Sequence, residues 1–266
     1  MAPKKVLITG VSGLVGGAIY LRLAERPDLY DLYGFSRRRV SSERVPEGQV
    51  LDMADDKFFV GTVEDMEAVQ RAVQGMDVVI HMAATWHDWE GILQHNLIGA
   101  YNIFEASSQA GVGRVIAAST IQVSDGNRQF EPYRSIANAE YDKVPEQFDK
   151  LTVETAAGPT NLYSASKVWA ESLARTYATK NDMSCICIRI GWVVAEDRPP
   201  NAKAIDIWCS QRDIAQLAQC CVDAPDDVRF DIFYGMSNNK RLWVDIENAR
   251  KKVGFAPQDR GEERID

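Results

Sequence analysis

The sequence lacks the features of a membrane-spanning, secreted or metal-binding protein. Its apolar segments are all shorter than the roughly 20 residues that a membrane-spanning helix needs, and nothing near Met1 resembles a signal peptide. The five cysteines are odd in number and form no Cys-x-x-Cys motif, which favours reduced thiols in a cytoplasmic protein. His81, His87 and His95 lie far from these cysteines along the chain, so no metal site is expected.

Positive charge is also scarce. The 266 residues include 30 Lys and Arg against 38 Asp and Glu, a formal net charge of −8, which disfavours binding to nucleic acid. There is no internal repeat and no low-complexity segment. The length suits one large α/β core. We therefore expect a single unit that acts on a small molecule, with neither a nucleic acid nor a membrane as its partner.

Strand-like and helix-like segments alternate along the chain, as a parallel sheet covered by helices requires. Strands are predicted at residues 4–9, 31–36, 57–61, 77–82, 114–119, 184–190 and 230–235. Helices are predicted at residues 14–25, 64–74, 90–110, 162–180, 211–223 and 245–253, the last with Asp245 as its N-cap and Gly254 just past its end. This pattern predicts an α/β fold with a doubly wound parallel sheet of the Rossmann type.

The predicted elements also suggest how the chain is divided. We expect residues 1–190 to form mainly the dinucleotide-binding core, and residues 191–266 to form mainly a small substrate lobe with elements that return to the core. Residues 124–160 match neither periodicity, and a segment of that length inside a compact domain is usually functional. The sequence assigns it no role.

A glycine-rich segment follows the first predicted strand. Gly10, Gly13 and Gly16 are spaced Gly-x-x-Gly-x-x-Gly, directly before a helical pattern. Glycines in this place allow a tight turn, close approach of the backbone to a pyrophosphate, and close packing of helix on strand. The helix N-terminus then offers free N–H groups to the phosphates. The segment therefore predicts a dinucleotide site, with an ordinary glycine-rich turn as the alternative.

Tyr163 and Lys167 stand four residues apart on the helix predicted at 162–180, which Thr160 or Asn161 can cap. Side chains at i and i+4 share a helix face. A neighbouring ammonium lowers the pKa of a phenol, and a phenol with a pKa nearer 7 can serve as a general base. We expect this pair to be catalytic; a solvated surface pair is the alternative for the spacing taken alone.

Six motifs together resemble the extended short-chain dehydrogenase/reductase family, within the NAD-dependent epimerase/dehydratase superfamily. They lie in the family's order and approximate spacing at residues 9–16, 77–84, 95–102, 118–120, 163–167 and 188–191. The resemblance covers nearly the whole chain. It implies an NAD(P)-dependent enzyme that transfers a hydride to or from a CH–OH group.

The resemblance also implies roles for individual residues. Thr120 would hold the substrate oxygen, Tyr163 would take its proton, and C4 of the nicotinamide would take the hydride. Lys167 would bond the nicotinamide ribose, and Asn96 would fix the active-site backbone or a water; a structural hydroxyl and a structural amide are the alternatives for Thr120 and Asn96. The residues expected to contact the cofactor are Gly10, Ser12, Gly13, Leu14, Val15, Gly16, Ser36, Arg37, Thr62, Val63, Met82, Ala83, Ala84, Tyr163, Lys167 and Ile190.

The end of the second strand bears on the choice of dinucleotide. An acidic residue there bonds the 2′-hydroxyl of NAD, whereas a nearby Arg accepts the 2′-phosphate of NADP. This chain has Ser36 followed by Arg37, and guanidinium–phosphate bonds are strong. We predict NADP in preference to NAD, with a solvated basic segment as the alternative. Thr62 replaces the family's adenine-contacting Asp.

Within the family, the nearest resemblance is to the sugar C1 dehydrogenases, namely the uronate dehydrogenases and the archaeal-type glucose-6-phosphate dehydrogenases. These oxidise a cyclic hemiacetal to a lactone without metal. Ile121-Gln122 replace both the Asp-Glu pair of the dehydratases and the Asn-His sugar ligands, and Lys203 stands in place of an Arg that clamps an anionic substrate group. The residues expected to contact substrate are Trp86, Thr120, Gln122, Tyr163, Gly191, Trp192, Lys203 and Trp208.

We therefore predict an NADP-preferring sugar 1-dehydrogenase that acts on an aldose or a uronate. Enzymes of this family are commonly homodimers, and we expect the same here. A sugar-nucleotide epimerase or a carbonyl reductase of the same family is the alternative enzyme. A catalytically silent, NADP-binding regulatory protein is the alternative from another class; the presence of Thr120, Tyr163 and Lys167 argues against it.

Overall fold

A computed structural model describes residues 2–265, and in this part of the chain seven parallel strands form one sheet. Their order across the sheet is β3-β2-β1-β4-β5-β6-β7. The strands are β1 Lys4–Thr9, β2 Tyr30–Ser36, β3 Phe58–Val60, β4 Val78–His81, β5 Arg114–Thr120, β6 Ser184–Ile190 and β7 Phe230–Gly235. The predicted doubly wound parallel sheet is confirmed.

Helices connect the strands and cover both faces of the sheet. They are α1 Leu14–Ala24, α2 Met66–Val73, α3 Trp89–Gly91, α4 Gly99–Gln109, α5 Tyr133–Ala137, α6 Leu162–Lys180, α7 Gln211–Val222 and α8 Glu247–Val253. Short 3₁₀ helices lie at Asp55–Lys57, Ile121–Gln129, Tyr141–Lys143, Ala202–Ile207 and Gly261–Glu263. The predicted helix at 90–110 is in fact α3 and α4 joined by a π-helical segment, Ile92–Ile98.

Alternate residues of each strand supply two separate cores. Ile8 packs on one face with Ile19 of α1 and Leu217 of α7. Leu7 points to the other face and packs with Phe104 of α4. All five side chains are fully buried, and burial of each large apolar side chain contributes about 1.5–3 kcal/mol. This packing holds the strand ends in fixed relation to one another.

The unpatterned residues 124–160 contain α5 and short 3₁₀ turns up to residue 143, and an irregular stretch from 144 to 160. Their apolar side chains, Ile136 and Leu151 among them, pack in a third core against Trp243. Leu151 N–H donates to Trp243 O (2.9 Å), and Asp245 N–H donates to Leu151 O (2.8 Å). The predicted division of the chain at residue 190 stays a prediction. Two elements that follow residue 190 return to the core, since β7 is a strand of the sheet and α7 packs on one of its faces.

The N-cap of α8 differs from the prediction by one position. Ile246, rather than Asp245, occupies the N-cap of α8, although the Asp245 carboxylate accepts a bond from Glu247 N–H (2.9 Å). Gly254 ends α8 in the left-handed conformation, at φ +75°. Among residues 2–265, no helix combines the length and hydropathy needed to cross a bilayer.

Candidate active site

A cleft of about 1140 Å³ opens at the carboxyl ends of the central strands. Gly10, Ser36, Met82, Thr120 and Ile190, which end or follow five different strands, line it. It lies next to β1, where the strand order reverses, with β2 on one side and β4 on the other. Open parallel sheets bind ligands at this place. Every residue that the sequence predicted to contact a cofactor lines this cleft.

The glycine loop forms one end of the cleft. Gly10 has φ +68°, and a Cβ there would lie 2.8 Å from Ala83 N. A Cβ on Gly16 would lie 2.4 Å from Gly10 O. Gly13 caps α1 without a side-chain hydrogen bond, which leaves the first N–H groups of the helix to a ligand. The loop therefore fits a dinucleotide pyrophosphate, which needs bare backbone at close range.

Tyr163 lies in the first turn of α6, where a capping box fixes the backbone. Ser164 N–H donates to Asn161 Oδ1 (2.8 Å), and Asn161 N–H donates to Ser164 Oγ (3.4 Å). Of the two caps considered from sequence, the structure uses Asn161. The fixed turn places Tyr163 in the lining of the cleft, together with Thr120 at the end of β5.

The electrostatics of Tyr163 differ from the expectation. Burial raises the pKa of Tyr163 to about 12, while the bond to Thr120 and the charge of Arg44 act to lower it. Lys167 Nζ lies 5.6 Å from the Tyr163 ring centroid, but the opposing charge comes from Arg44 rather than from Lys167. Burial lowers the pKa of Lys167 to about 8. The sequence analysis expected Lys167 to lower the pKa of Tyr163; in this structure burial of the phenol dominates instead.

Asn96 lies in the π-helical segment, behind the cleft wall. Its Oδ1 accepts from Thr85 N–H (2.9 Å), and its Nδ2 donates to Thr85 O (2.8 Å) and to Ser166 Oγ (3.0 Å). The amide thus joins the loop after β4 to α6. Single π turns inside helices are common at functional sites, but an ordinary helical periodicity does not reveal them.

A buried polar network supports Thr120 from below, and the sequence analysis missed it. Arg189 makes a bidentate pair with Glu171, with Nε–Oε1 at 2.8 Å and Nη2–Oε2 at 2.9 Å. Ser119 Oγ donates to Glu171 Oε1 (2.6 Å), and Arg189 Nη1 donates to the Tyr234 hydroxyl (2.9 Å). The network ties α6 to β5, β6 and β7. Glu171, four residues beyond Lys167, was the available signal.

At the end of β2, Ser36 and the exposed Arg37 both line the cleft. Ser36 Oγ accepts from Ser12 N–H (3.3 Å), which ties β2 to the glycine loop. Thr62 donates its hydroxyl to Glu64. Burial raises the pKa of Glu64, but bonds from Thr62 and from its own backbone hold that pKa below its ordinary value.

Two predicted substrate contacts lie elsewhere. Lys203 is exposed and Trp208 is fully buried, and neither lines the cleft. The backbone of Trp208 pairs with that of Trp192, whose side chain is 44% exposed at the cleft. Trp208 instead packs under the Arg264 guanidinium, 5.5 Å from its ring centroid.

The other predicted substrate contacts line the cleft, as do residues that were not predicted, Arg44 among them. Gln122, whose Oε1 accepts from Asn161 Nδ2 (2.9 Å), stands near Trp86, Gly191 and Trp192. Arg44 belongs to the segment between β2 and β3, which has no regular periodicity, so no pattern in the sequence marks it as a cleft residue.

Comparisons with known proteins agree with this geometry. The chain is 31% identical to the NAD-dependent glucose-6-phosphate dehydrogenase of Haloferax volcanii, over 97% of this chain and 94% of that protein. It is 28% identical to the uronate dehydrogenase of Pseudomonas syringae pv. tomato, over 97% of this chain and 83% of that protein. A mutant uronate dehydrogenase from Agrobacterium tumefaciens, solved with NAD, superposes with a TM-score of 0.78 at 27% identity, covering 98% of this chain and 87% of that one.

A family model gives the broader assignment. Residues 6–249 match the model described as the NAD dependent epimerase/dehydratase family. The match spans the glycine loop, the Tyr163–Lys167 pair and all seven strands except the first two residues of β1. The chain therefore belongs to the NAD dependent epimerase/dehydratase family.

Proposed function

We propose that this protein is an NAD(P)-dependent sugar 1-dehydrogenase, which oxidises the cyclic hemiacetal of an aldose to a lactone. The observation that carries the proposal is that Thr120, Tyr163 and Lys167 line the same cleft as the glycine loop. The names of the relatives from H. volcanii and P. syringae support a sugar as substrate.

Each side chain has a task in this reaction. When bound, the oxidised nicotinamide supplies the hydride acceptor, and the glycine loop and Lys167 would hold the dinucleotide. Thr120 orients the anomeric hydroxyl by a hydrogen bond, and the ionised form of Tyr163 accepts its proton. The charge of Arg44 favours this form against the effect of burial. Asn96 keeps the loop at Thr85 in place through its amide. An anomeric hydroxyl is more acidic than an ordinary alcohol, which suits a base of this kind.

The test is formation of reduced nicotinamide, followed by absorbance, with aldoses, uronates and sugar phosphates. We expect turnover with at least one of these and a lactone as product. Epimerised nucleotide sugar without net reduction of the dinucleotide would support the epimerase instead. Dinucleotide binding without any turnover would support the regulatory protein.

NAD is the cofactor named for the H. volcanii relative, and we propose that this chain also accepts NADP and prefers it. The support is Arg37, an exposed guanidinium at the cleft directly after Ser36, with no carboxylate at that position. Arg37→Ala should raise KM for NADP about tenfold or more and leave KM for NAD nearly unchanged, because only NADP has a 2′-phosphate to bond. Equal changes in both would contradict the preference.

We propose a homodimer in a reducing, cytoplasmic compartment. Ile98, Tyr101 and Trp169 form an exposed apolar area where the π-helical segment and α4 adjoin α6; Trp169 Nε1 donates to Leu97 O (3.2 Å). Such areas mark protein interfaces. All five cysteines are free thiols, which suits reducing surroundings. Light scattering should give twice the chain mass for the wild-type protein and the mass of a single chain for Trp169→Glu. If the variant keeps the mass of the wild type, this interface is contradicted.

A further inference from the structure

Arg44 spans the cleft from one wall to the other. Its segment is tied to the glycine loop, since Ser42 N–H donates to Ser12 O (2.8 Å) and Ser12 Oγ donates to Arg38 O (3.1 Å). The Arg44 guanidinium lies over the ring of Trp86, with its Cζ 4.2 Å from the ring centroid. Trp86 follows β4 on the opposite side of the glycine loop. A cation is therefore held across the opening of the cleft.

The positive charge of Arg44 is not neutralised within the part of the chain that the structure describes. No carboxylate of residues 2–265 forms an ion pair with it, and the aromatic ring is its side-chain contact. Stacking uses the face of the guanidinium, while its N–H donors lie in the plane and stay available. Those donors match the two oxygens of a carboxylate or a phosphate.

Arg44 acts at the end of the cleft where Tyr163 lies. Burial keeps the pKa of Tyr163 raised, and the charge of Arg44 acts in the opposite direction. The other exposed arginines that line the cleft, Arg37 and Arg38, directly follow β2, and Lys167 is 3% exposed. Arg44 is thus the exposed arginine of the described lining that can meet a group attached to the substrate.

We infer that Arg44 is the anion-binding residue of the substrate site and selects aldoses that carry a carboxylate or a phosphate. This inference rests on the proposed function. Trp86 holds the guanidinium plane in place, so that its free edge faces the substrate. Arg44 takes the role that the sequence analysis gave to Lys203, whose exposed side chain lies outside the cleft.

The test compares Arg44→Gln and Arg44→Lys on matched pairs of sugars, glucuronate against glucose and glucose 6-phosphate against glucose. In Arg44→Gln we expect kcat/KM for an anionic sugar to fall about 30–100-fold, mostly through KM, because a charge-assisted hydrogen-bonded pair is lost. The value for glucose should change less than about threefold. Arg44→Lys should restore part of the loss, since lysine offers a point charge without the fork. The anionic sugar with the larger loss identifies the native group.

Arg71→Gln serves as the matched control, since it removes the same charge from an exposed position on α2, and it should change neither sugar. Three results would overturn the inference: equal losses for anionic and neutral sugars, a loss in Lys203→Gln instead, or a change confined to the affinity for NAD. The last would place Arg44 on the dinucleotide.

A separate binding measurement keeps this test independent of turnover. If the wild-type protein reduces no dinucleotide with any sugar, the proposed function fails. Calorimetry of glucuronate and glucose 6-phosphate with NAD-saturated Tyr163→Phe, with and without Arg44→Gln, then still decides the role of Arg44. Weaker binding by about 30-fold in the double variant supports it, and equal binding or none refutes it.

Discussion

The two ends of the cleft differ in whether backbone or side-chain atoms form their surface. At the glycine-loop end, backbone atoms form the surface, and the critical positions lie close together in sequence, from Gly10 to Gly16. The proposed substrate end is lined by side chains from different segments, namely Arg44, Trp86, Gln122 and Trp192. A backbone cradle depends on the absence of Cβ atoms, whereas a side-chain site depends on how distant segments are held together.

The largest effect that distinguishes the two ends is expected for Tyr163→Phe. Loss of the proton acceptor should lower kcat about 10³-fold, while the Kd of NAD stays within about threefold, because the cradle at Gly10 is untouched. Steady-state kinetics and calorimetry measure the two quantities. Loss of NAD affinity in this variant would mean that the phenol holds the cofactor and that the two ends are not separable.

Lys167→Met should stabilise the protein without bound dinucleotide while it abolishes turnover. Burial lowers the folded-state pKa of Lys167 from 10.5 to about 8, and at pH 7 this charge costs up to about 3 kcal/mol. Denaturant unfolding at pH 7 should show a gain of about 1–3 kcal/mol.

The difference in stability between Lys167→Met and the wild type should depend on pH. The unfolded chain binds more protons than the folded chain between pH 8 and 10.5, so the free energy of unfolding of the wild type rises with pH in that window. The advantage of Lys167→Met should be complete below pH 8 and decline as pH approaches 10.5. If Lys167→Met is more stable than the wild type by the same amount at every pH, or is less stable at pH 7, the charged form of Lys167 does not destabilise the folded protein.

The smallest of these effects concerns the cradle. Gly10→Ala places a Cβ 2.8 Å from Ala83 N at a residue with φ +68°, so we expect a loss of about 2 kcal/mol in stability together with weaker NAD binding. Gly48→Ala is the matched control, since Gly48 has φ +79° and nothing within 4 Å of such a Cβ.

The control should lose only about 1 kcal/mol, the cost of the left-handed conformation, and keep the NAD affinity of the wild type. Denaturant unfolding and NAD titration give both values. If Gly10→Ala and Gly48→Ala behave alike, the close approach at Ala83 is not what requires glycine.

The fold was largely predictable because its signals are local. Alternation of apolar residues places Leu7 and Ile8 on opposite faces of β1, and parallel strands connected through helices leave few other arrangements. Asn161 was among the predicted caps for the same reason. The π-helical segment that contains Asn96 was not predictable, because the flanking α-helical turns keep their ordinary periodicity.

Electrostatics and the substrate wall were predicted less well. The spacing of Tyr163 and Lys167 indicated that they share a helix face, but the pKa of each depends on burial, which other segments create. The position of Trp208 depended on its pairing with Trp192, and nothing in the sequence near either residue shows which of the two side chains points inward.

The order of strands and helices, the glycine cradle and the shared helix face of Tyr163 and Lys167 were predictable, because each depends on residues that are close together along the chain. The depth at which that pair is buried, the position of Lys203 outside the cleft and the position of Arg44 across it depend on the folded chain as a whole. Burial and convergence of distant segments are properties of the packed chain, because they depend on which surfaces exclude water together.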